Sequence, residues 1–263
     1  MTERVTGGEV VARLFARAAA RPEGVVAFDA DGTIWAGDVG EDYFHYFLER
    51  APLLEPAARA VEAHAEAHGI ARGADAHATL RAVWDAYRHD RFPEDVVCEM
   101  VAWCAAGRSR ADVEALARAA VAPDLASRLR PELAPVLDWV RAHTEVEAWV
   151  VSASPRFVVD AALEALGDRL PLSRARVVGI EPLWSGDVML PEVARPISYA
   201  QGKVSCLRAH VGPARPLLGA FGDSGFDAAL LSTADVPVGV RPKPRLVEAG
   251  VPGLLVLREP DFR

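Results

Sequence analysis

Three stretches of the 263-residue chain end an apolar run in residues able to do chemistry. Asp29-Ala30-Asp31-Gly32-Thr33 follows the run Val25 to Phe28. Ser152-Ala153-Ser154-Pro155 closes the run Val146 to Val151. Gly222-Asp223-Ser224-Gly225-Phe226-Asp227 closes the run Leu217 to Phe221. Two aspartates two residues apart can face one cavity if the backbone coils after the first, and Gly32 supplies that freedom. Asp223 from a neighbouring strand would make three converging carboxylates. Such a group needs a cation, and its hard oxygen donors suit Mg²⁺. With a lysine and a small hydroxyl residue beside it, the set meets the needs of phosphoryl transfer. One carboxylate attacks phosphorus, a second moves the proton, and positive charge balances the equatorial oxygens. The chain contains only two lysines, Lys203 and Lys243. A compact ammonium fits between a phosphate and a carboxylate where a wide guanidinium does not.

The elements that must position these groups follow from the hydrophobic pattern. Val10 to Ala20 reads as a leading helix, and Val25 to Phe28 as a strand buried on both faces. From Asp38 to Leu129 the composition turns to Ala, Glu, Arg and His. Pro52, Pro56, Pro93 and Pro123 with Gly69, Gly73 and Gly107 divide this stretch into five or six helices. Strand-like runs resume at 146–151, at 176–180 and 183–190 as a pair with a turn at Ser185-Gly186-Asp187, and at 217–221, 236–240 and 254–257. Helices follow at Phe157 to Leu166 and from Gly202-Lys203 onward. The alternation predicts an α/β fold with a parallel sheet, and ligands in such sheets bind beyond the carboxyl ends of the strands.

Taken together, Asp29-x-Asp31-Gly32-Thr33, Ser152, Gly202-Lys203 and Gly222-Asp223-Ser224-Gly225-Phe226-Asp227 resemble, in order and spacing, the four motifs of the haloacid dehalogenase superfamily. The resemblance runs from Val25 to Leu257. The helical stretch between the first and second motifs, and Pro196-Ile-Ser-Tyr-Ala-Gln-Gly-Lys203, resemble the phosphoserine phosphatase-like branch. It implies a Rossmann-like core, residues 1–37 and 130–263, with an inserted all-helical cap, residues 38–129. The implied activity is Mg²⁺-dependent hydrolysis of a small phosphomonoester, an amino-acid or amino-alcohol phosphate being favoured, through an aspartyl-phosphate. Asp29 would be the nucleophile and a metal ligand. Asp31 would be the general acid/base, with its backbone carbonyl on the metal. Ser152, the backbone N–H of Ala153, Lys203 and Thr33 would hold the phosphoryl group. Asp223 would bind the metal, and Asp227 would support it through a water or hold Lys203. The phosphoserine enzymes usually carry Asn where this chain has Phe226, a departure that bears on phosphoserine itself. The alternatives are a phosphomutase on the same core and a non-catalytic regulator. A haloacid dehalogenase is disfavoured, because those enzymes lack the second aspartate, here Asp31.

Leaving-group choice would lie in the flap and the cap, which should close over substrate to exclude water and open for release. Trp35, Asp38, Glu41 and Asp42 are the expected specificity residues, an acidic side chain receiving an ammonium and Trp35 adding a cation–π contact. An acidic helix start favoured by the helix dipole explains the same three acids. His64 and His68, four apart, read as a solvated cap face.

Composition bounds the remaining classes. A net charge of −8 argues against broad phosphate neutralisation of a nucleic acid and gives no polybasic membrane anchor. With 51 % hydrophobic residues the chain can bury a full core. There is no membrane-length apolar run, and Glu3, Glu9, Arg13 and Arg17 break any signal-peptide pattern. Three cysteines, Cys98, Cys104 and Cys206, lie in no CxxC pair. The expected setting is cytoplasmic, as a monomer or homodimer with a small-molecule partner and neither nucleic acid nor membrane.

Overall fold

The structure, a computed structural model, describes residues 3–170, 172 and 176–259. Its first half runs β1 (Glu3–Val5), α1 (Gly7–Ala20), β2 (Val25–Phe28), α2 (Val39–Glu49), α3 (Glu55–Ala67), α4 (Ala76–Arg88), α5 (Glu94–Trp103) and α6 (Arg110–Ala120). The second runs α7 (Ala134–Ala142), β3 (Glu147–Pro155), α8 (Arg156–Leu166), β4 (Arg176–Ile180), β5 (Pro182–Ser185), β6 (Val188–Val193) and α9 (Gln201–Val211). It ends with β7 (Leu217–Gly222), α10 (Ala228–Leu231), β8 (Val236–Val240), α11 (Pro244–Glu248) and β9 (Leu255–Leu257).

Seven strands form one sheet in the order β1-β9-β8-β7-β2-β3-β4. Every pairing in it is parallel. The α/β expectation is therefore met. The sheet also gains a short edge strand, β1, that the apolar pattern did not reveal. β2 is central because all four of its residues are apolar and buried, which only an interior parallel strand allows. Phe28 lies in register with Val150 of β3 and Phe221 of β7. The carboxyl ends of the three strands that carry the chemistry thus sit side by side.

The expected pairing of 176–180 with 183–190 is not what forms. β4 joins β3 at the sheet edge, and β5 pairs antiparallel with β6 around Gly186 at φ +59°. Val177, Val178 and Ile180 are buried, which suits the main sheet, whereas β5 and β6 alternate between buried and exposed positions.

Apolar packing ties the helices inserted after β2 to the sheet. α2 starts where the Asp38 side chain accepts the Glu41 N–H, and it buries Tyr43, Phe44, Phe47 and Leu48 along one stripe. One continuous apolar cluster takes in Phe28 and Phe221 of the sheet, Trp35, Tyr43 and Phe44, and Met100 and Trp103 of α5. Phe28 and Phe221 stack with ring centres 4.5 Å apart, and burying each is worth about 1.5–3 kcal/mol. A second cluster, including Leu207 of α9 and Leu230 of α10, covers the opposite face.

The β5–β6 hairpin adds polar stitches to the α5–α6 corner. Gly107 N–H donates to Met189 O at 2.9 Å, Met189 N–H to Arg108 O at 3.0 Å, and Arg110 N–H to Asp187 O at 3.1 Å. Arg195 grips Glu99 bidentately at 2.6 and 2.7 Å. Among the described residues no helix is long and apolar enough to cross a membrane.

Candidate active site

Asp29 continues the β2 ladder by one residue, its N–H donating to Phe221 O at 2.9 Å. The chain then turns. Gly32 has φ +81°, and a Cβ there would collide with the Asp223 carboxylate. Glycine is required both for the backbone conformation and for the approach of the β7 loop.

The turn points the two aspartates in different directions. Asp29 Oδ1 accepts from Lys203 Nζ at 2.6 Å, and Oδ2 accepts from Thr33 Oγ1 at 2.9 Å. Asp31 faces β3: its Oδ2 accepts from Ser154 Oγ at 2.8 Å and Ser152 Oγ at 3.2 Å. Its Oδ1 accepts from Trp35 Nε1 at 2.9 Å and Val39 N–H at 2.8 Å. Ser198, before α9, braces Ser152 on β3, its Oγ donating to Ser152 O at 2.6 Å.

Lys203, near the start of α9, is buried between two carboxylates, with Nζ also 2.6 Å from Asp227 Oδ1. Asp227 Oδ2 accepts the N–H groups of Asp223 and Ser224 at 3.1 and 2.9 Å, plus Ser224 Oγ at 3.0 Å. Both Asp227 oxygens are thus occupied, one of them by Lys203. Lys243 Nζ lies 2.9 Å from Asp223 Oδ2, a partner the sequence pattern did not assign.

Carboxylate oxygens of Asp29, Asp223 and Asp227 approach within 4.8 Å of one another, all three residues being buried. Burial, and then the Asp227 charge, push the Asp29 carboxyl well above its ordinary range, with Lys203 pulling the other way. Burial also raises Asp223, opposed by its hydrogen bond from Lys243. Burial pushes the Lys203 ammonium down, but Asp227 and Asp29 outweigh it and hold the lysine charged above its usual range. Crowded buried carboxylates of this kind are what a small hard cation relieves, so the donor set fits Mg²⁺. The Asp31 carboxylate is not part of that set, because the two serines, Trp35 and Val39 hold it on the β3 side. Only its main chain remains available to a cation.

Asp29, Asp31, Ser152, Lys203 and Asp223 line the floor of a 570 Å³ cavity roofed by α2, α4 and α5, a size common for small-metabolite sites. Ala153, Asp38 and Glu41 line it too. Three expectations change. Thr33 is fully buried and buttresses Asp29 instead of lining the phosphate space. Trp35 is likewise buried, its indole committed to Asp31. Asp42 pairs with Arg128 at 3.0 Å and turns away from the cavity. Burial raises Asp38 well above its usual range, and the Asp31 charge adds to it. His64 and His68 do not join the cavity wall; His64 stacks against Trp103 at 5.5 Å.

The structure adds Trp84 and Tyr87 of α4, Glu94 of α5, Tyr199, Phe226 and Arg245 to the wall. A sequence signal existed for the α4 pair. Leu80, Val83 and Ala86 mark the buried stripe, and Trp84 and Tyr87 lie one step round the helix at a spacing of three.

Comparison with known proteins agrees with the fold. A computed fold match pairs the chain with a conserved functionally unknown protein from Anaerococcus prevotii DSM 20548, at TM-score 0.61 and 16% identity, covering 88% of this chain and 84% of that one. A protein with unknown function from Bordetella pertussis Tohama I matches at TM-score 0.58 and 20% identity, covering 89% and 97%. A substrate-bound phosphoserine phosphatase matches at TM-score 0.50 and 11% identity, covering 90% and 93%. No curated protein matches the sequence. The family model of haloacid dehalogenase-like hydrolases matches residues 26–232, a span that holds every motif residue from Asp29 to Asp227. The chain belongs to that hydrolase family.

Proposed function

We propose that the protein is a Mg²⁺-dependent phosphomonoesterase acting on a small phosphorylated metabolite, an amino-acid or amino-alcohol phosphate, through an aspartyl-phosphate. The observation that carries this reading is the division of labour at the cavity floor. Asp29 is oriented by Lys203 and Thr33, while Asp31 is held apart from it by Ser152, Ser154, Trp35 and Val39. One carboxylate is poised to attack and the other to exchange a proton.

Asp29 attacks phosphorus, forming a carboxyl–phosphate bond as the ester P–O bond breaks. Asp31 gives its proton to the departing alkoxide. Asp31 then takes a proton from water, which attacks phosphorus, frees Asp29 and releases inorganic phosphate. Lys203, Ser152 and the Ala153 N–H hold the phosphoryl oxygens, and Lys203 also keeps Asp29 aligned. Asp29, Asp223 and the main chain of Asp31 would hold the metal, which supplies positive charge against the phosphoryl oxygens. Asp227 fixes Lys203. Asp38 and Glu41, at the cap side of the cavity, suit a leaving group with an amino substituent.

The test is Asp29→Asn, assayed for phosphate release from p-nitrophenyl phosphate. Turnover should fall by roughly four orders of magnitude or more, with the circular dichroism spectrum unchanged. A folded variant that retains a tenth of the activity would sink the nucleophile assignment.

A further inference from the structure

We infer that the wall formed by Trp84, Tyr87, Glu94 and Tyr199 is a receptor for an organic ammonium head group, so that the enzyme prefers phosphate monoesters of cationic amino alcohols lacking a carboxylate. This rests on the phosphomonoesterase reading above and narrows it to one leaving-group class.

The wall combines two kinds of group that recognise an organic cation. Trp84 and Tyr87 lie side by side on α4 with ring centres 5.1 Å apart, and Tyr199 packs on Phe226 at 4.6 Å. All four rings border the cavity. Aromatic faces attract ammonium groups, most strongly where water is excluded. Three carboxylates border the same space: Asp38, Glu41 and Glu94. Among the described residues none of the three has an ion-pair partner, whereas neighbouring Asp42 does. The rings and acids line one cavity. Burial lifts the Tyr87 hydroxyl far above its usual range, and the Glu94 and Glu41 charges lift it further. Burial also raises Glu94, whose charge is opposed by Arg245 and Lys243 across the mouth.

The cations of the cavity are distributed in the opposite sense. Lys203 is taken by Asp29 and Asp227, and Lys243 by Asp223. Arg245 is the one lining cation without a carboxylate partner among the described residues, and it is exposed at the rim. The buried cation of the cavity, Lys203, therefore lies where the phosphoryl group would sit, while unpaired carboxylates and aromatic rings lie where the alcohol would sit. A zwitterion with phosphate at one end and ammonium at the other matches that polarity. A leaving group carrying a carboxylate would meet three uncompensated acids and one rim arginine. Phe226, packed on Tyr199, extends the apolar surface of the same wall.

The test compares kcat/KM for phosphocholine with that for 3,3-dimethylbutyl phosphate, its uncharged carbon isostere. Phosphoserine, cytidine monophosphate and p-nitrophenyl phosphate run alongside. Phosphocholine should exceed the isostere, phosphoserine and the nucleotide by about tenfold or more. E94Q and W84L should each shrink the choline-to-isostere ratio severalfold, with melting temperature measured in parallel. The wild-type ratio carries the test even where a variant folds poorly. A ratio near one with brisk phosphate release, or phosphoserine or the nucleotide as the better substrate, overturns the cation receptor and leaves the phosphatase intact. No release from any ester, p-nitrophenyl phosphate included, overturns the phosphatase reading and this inference with it.

Discussion

Lys203→Met isolates the electrostatic logic of the site. Asp29, Asp223 and Asp227 carry three negative charges in one buried cluster, and Lys203 and Lys243 return two positive ones. Lys203 is 2 % exposed, Asp29 4 % and Asp227 0 %, so water screens none of the central pair contacts well. Removing one partner of a buried, hydrogen-bonded ion pair costs about 3–5 kcal/mol, because the charge left behind is uncompensated. For a chain of this size that is a fall in melting temperature of roughly 6–20 °C. The sign of the pH dependence follows from the carboxylates. Asp29 already sits well above its ordinary range, through burial and then Asp227, with Lys203 opposing. Loss of Lys203 raises it further. A carboxylate whose folded pKa exceeds its unfolded one destabilises the fold above the unfolded pKa, and that cost fades as pH falls. The deficit should therefore be greatest near neutral pH and shrink toward roughly pH 5. The lysine's own raised pKa contributes stability that is lost only as pH rises above its usual 10.5, outside this window. Calorimetry in chelator from roughly pH 5 to 8 measures the deficit without a competing cation. A melting temperature within about 2 °C of wild type at neutral pH, or a deficit that widens on acidification, would refute the reasoning.

Two further substitutions probe the geometry. Gly32→Ala places a Cβ against the Asp223 carboxylate at φ +81°, so it should lower both thermal stability, by about 1 kcal/mol or more, and kcat. Wild-type kinetics in that variant would show that the turn is looser than it stands here. Arg195→Ala leaves buried Glu99 without its bidentate partner and should cost about 1–3 kcal/mol by denaturant titration, with p-nitrophenyl phosphate hydrolysis as a companion readout. An unchanged midpoint would mean that water solvates Glu99 as well as Arg195 does.

The reactive floor was legible because its chemistry is written in local patterns. Asp29 and Asp31 follow an unbroken apolar strand, and Asp223 and Asp227 follow another. Parallel pairing of β7, β2 and β3 then needs only the strand-end rule to bring them together. What the pattern could not resolve was the direction in which each side chain points. Thr33 and Trp35 belong to the same motif turn, yet they face down onto Asp29 and Asp31. Asp42 looked equivalent to Asp38 and Glu41 until Arg128, distant in sequence, claimed it. Short apolar runs do not announce their partners, so the pattern sets 183–190 beside β4, whereas that stretch folds back on itself as β5 and β6. The Trp84–Tyr87 spacing marks one helix face, but that face and Glu94 become a cavity wall only because α4 packs on α2 and α5 while α5 packs on β3.

That packing also bears on how substrate enters. A motion lifting α2–α6 away as a body would break the three backbone hydrogen bonds between the α5–α6 corner and β5–β6. It would also break the Glu99–Arg195 grip and split an apolar cluster shared with the sheet. Motion of α4 and the α4–α5 connection breaks none of the hairpin bonds. It would draw one stripe, Leu80, Val83 and Ala86, out of the same cluster and release the His77 contact to Ala51 O, a smaller loss than lifting the whole of α2–α6. Regions with few buried contacts open first, at free energies well below global unfolding. Hydrogen exchange should therefore find the amides of Gly107, Arg110 and Met189 among the slow ones and those of α4 several-fold to many-fold faster. Uniform protection across α2–α6 would instead mark a cap that moves as one piece. With a mobile α4, Trp84 and Tyr87 move against the fixed Glu41 and Tyr199, so binding an ammonium and closing the site are coupled.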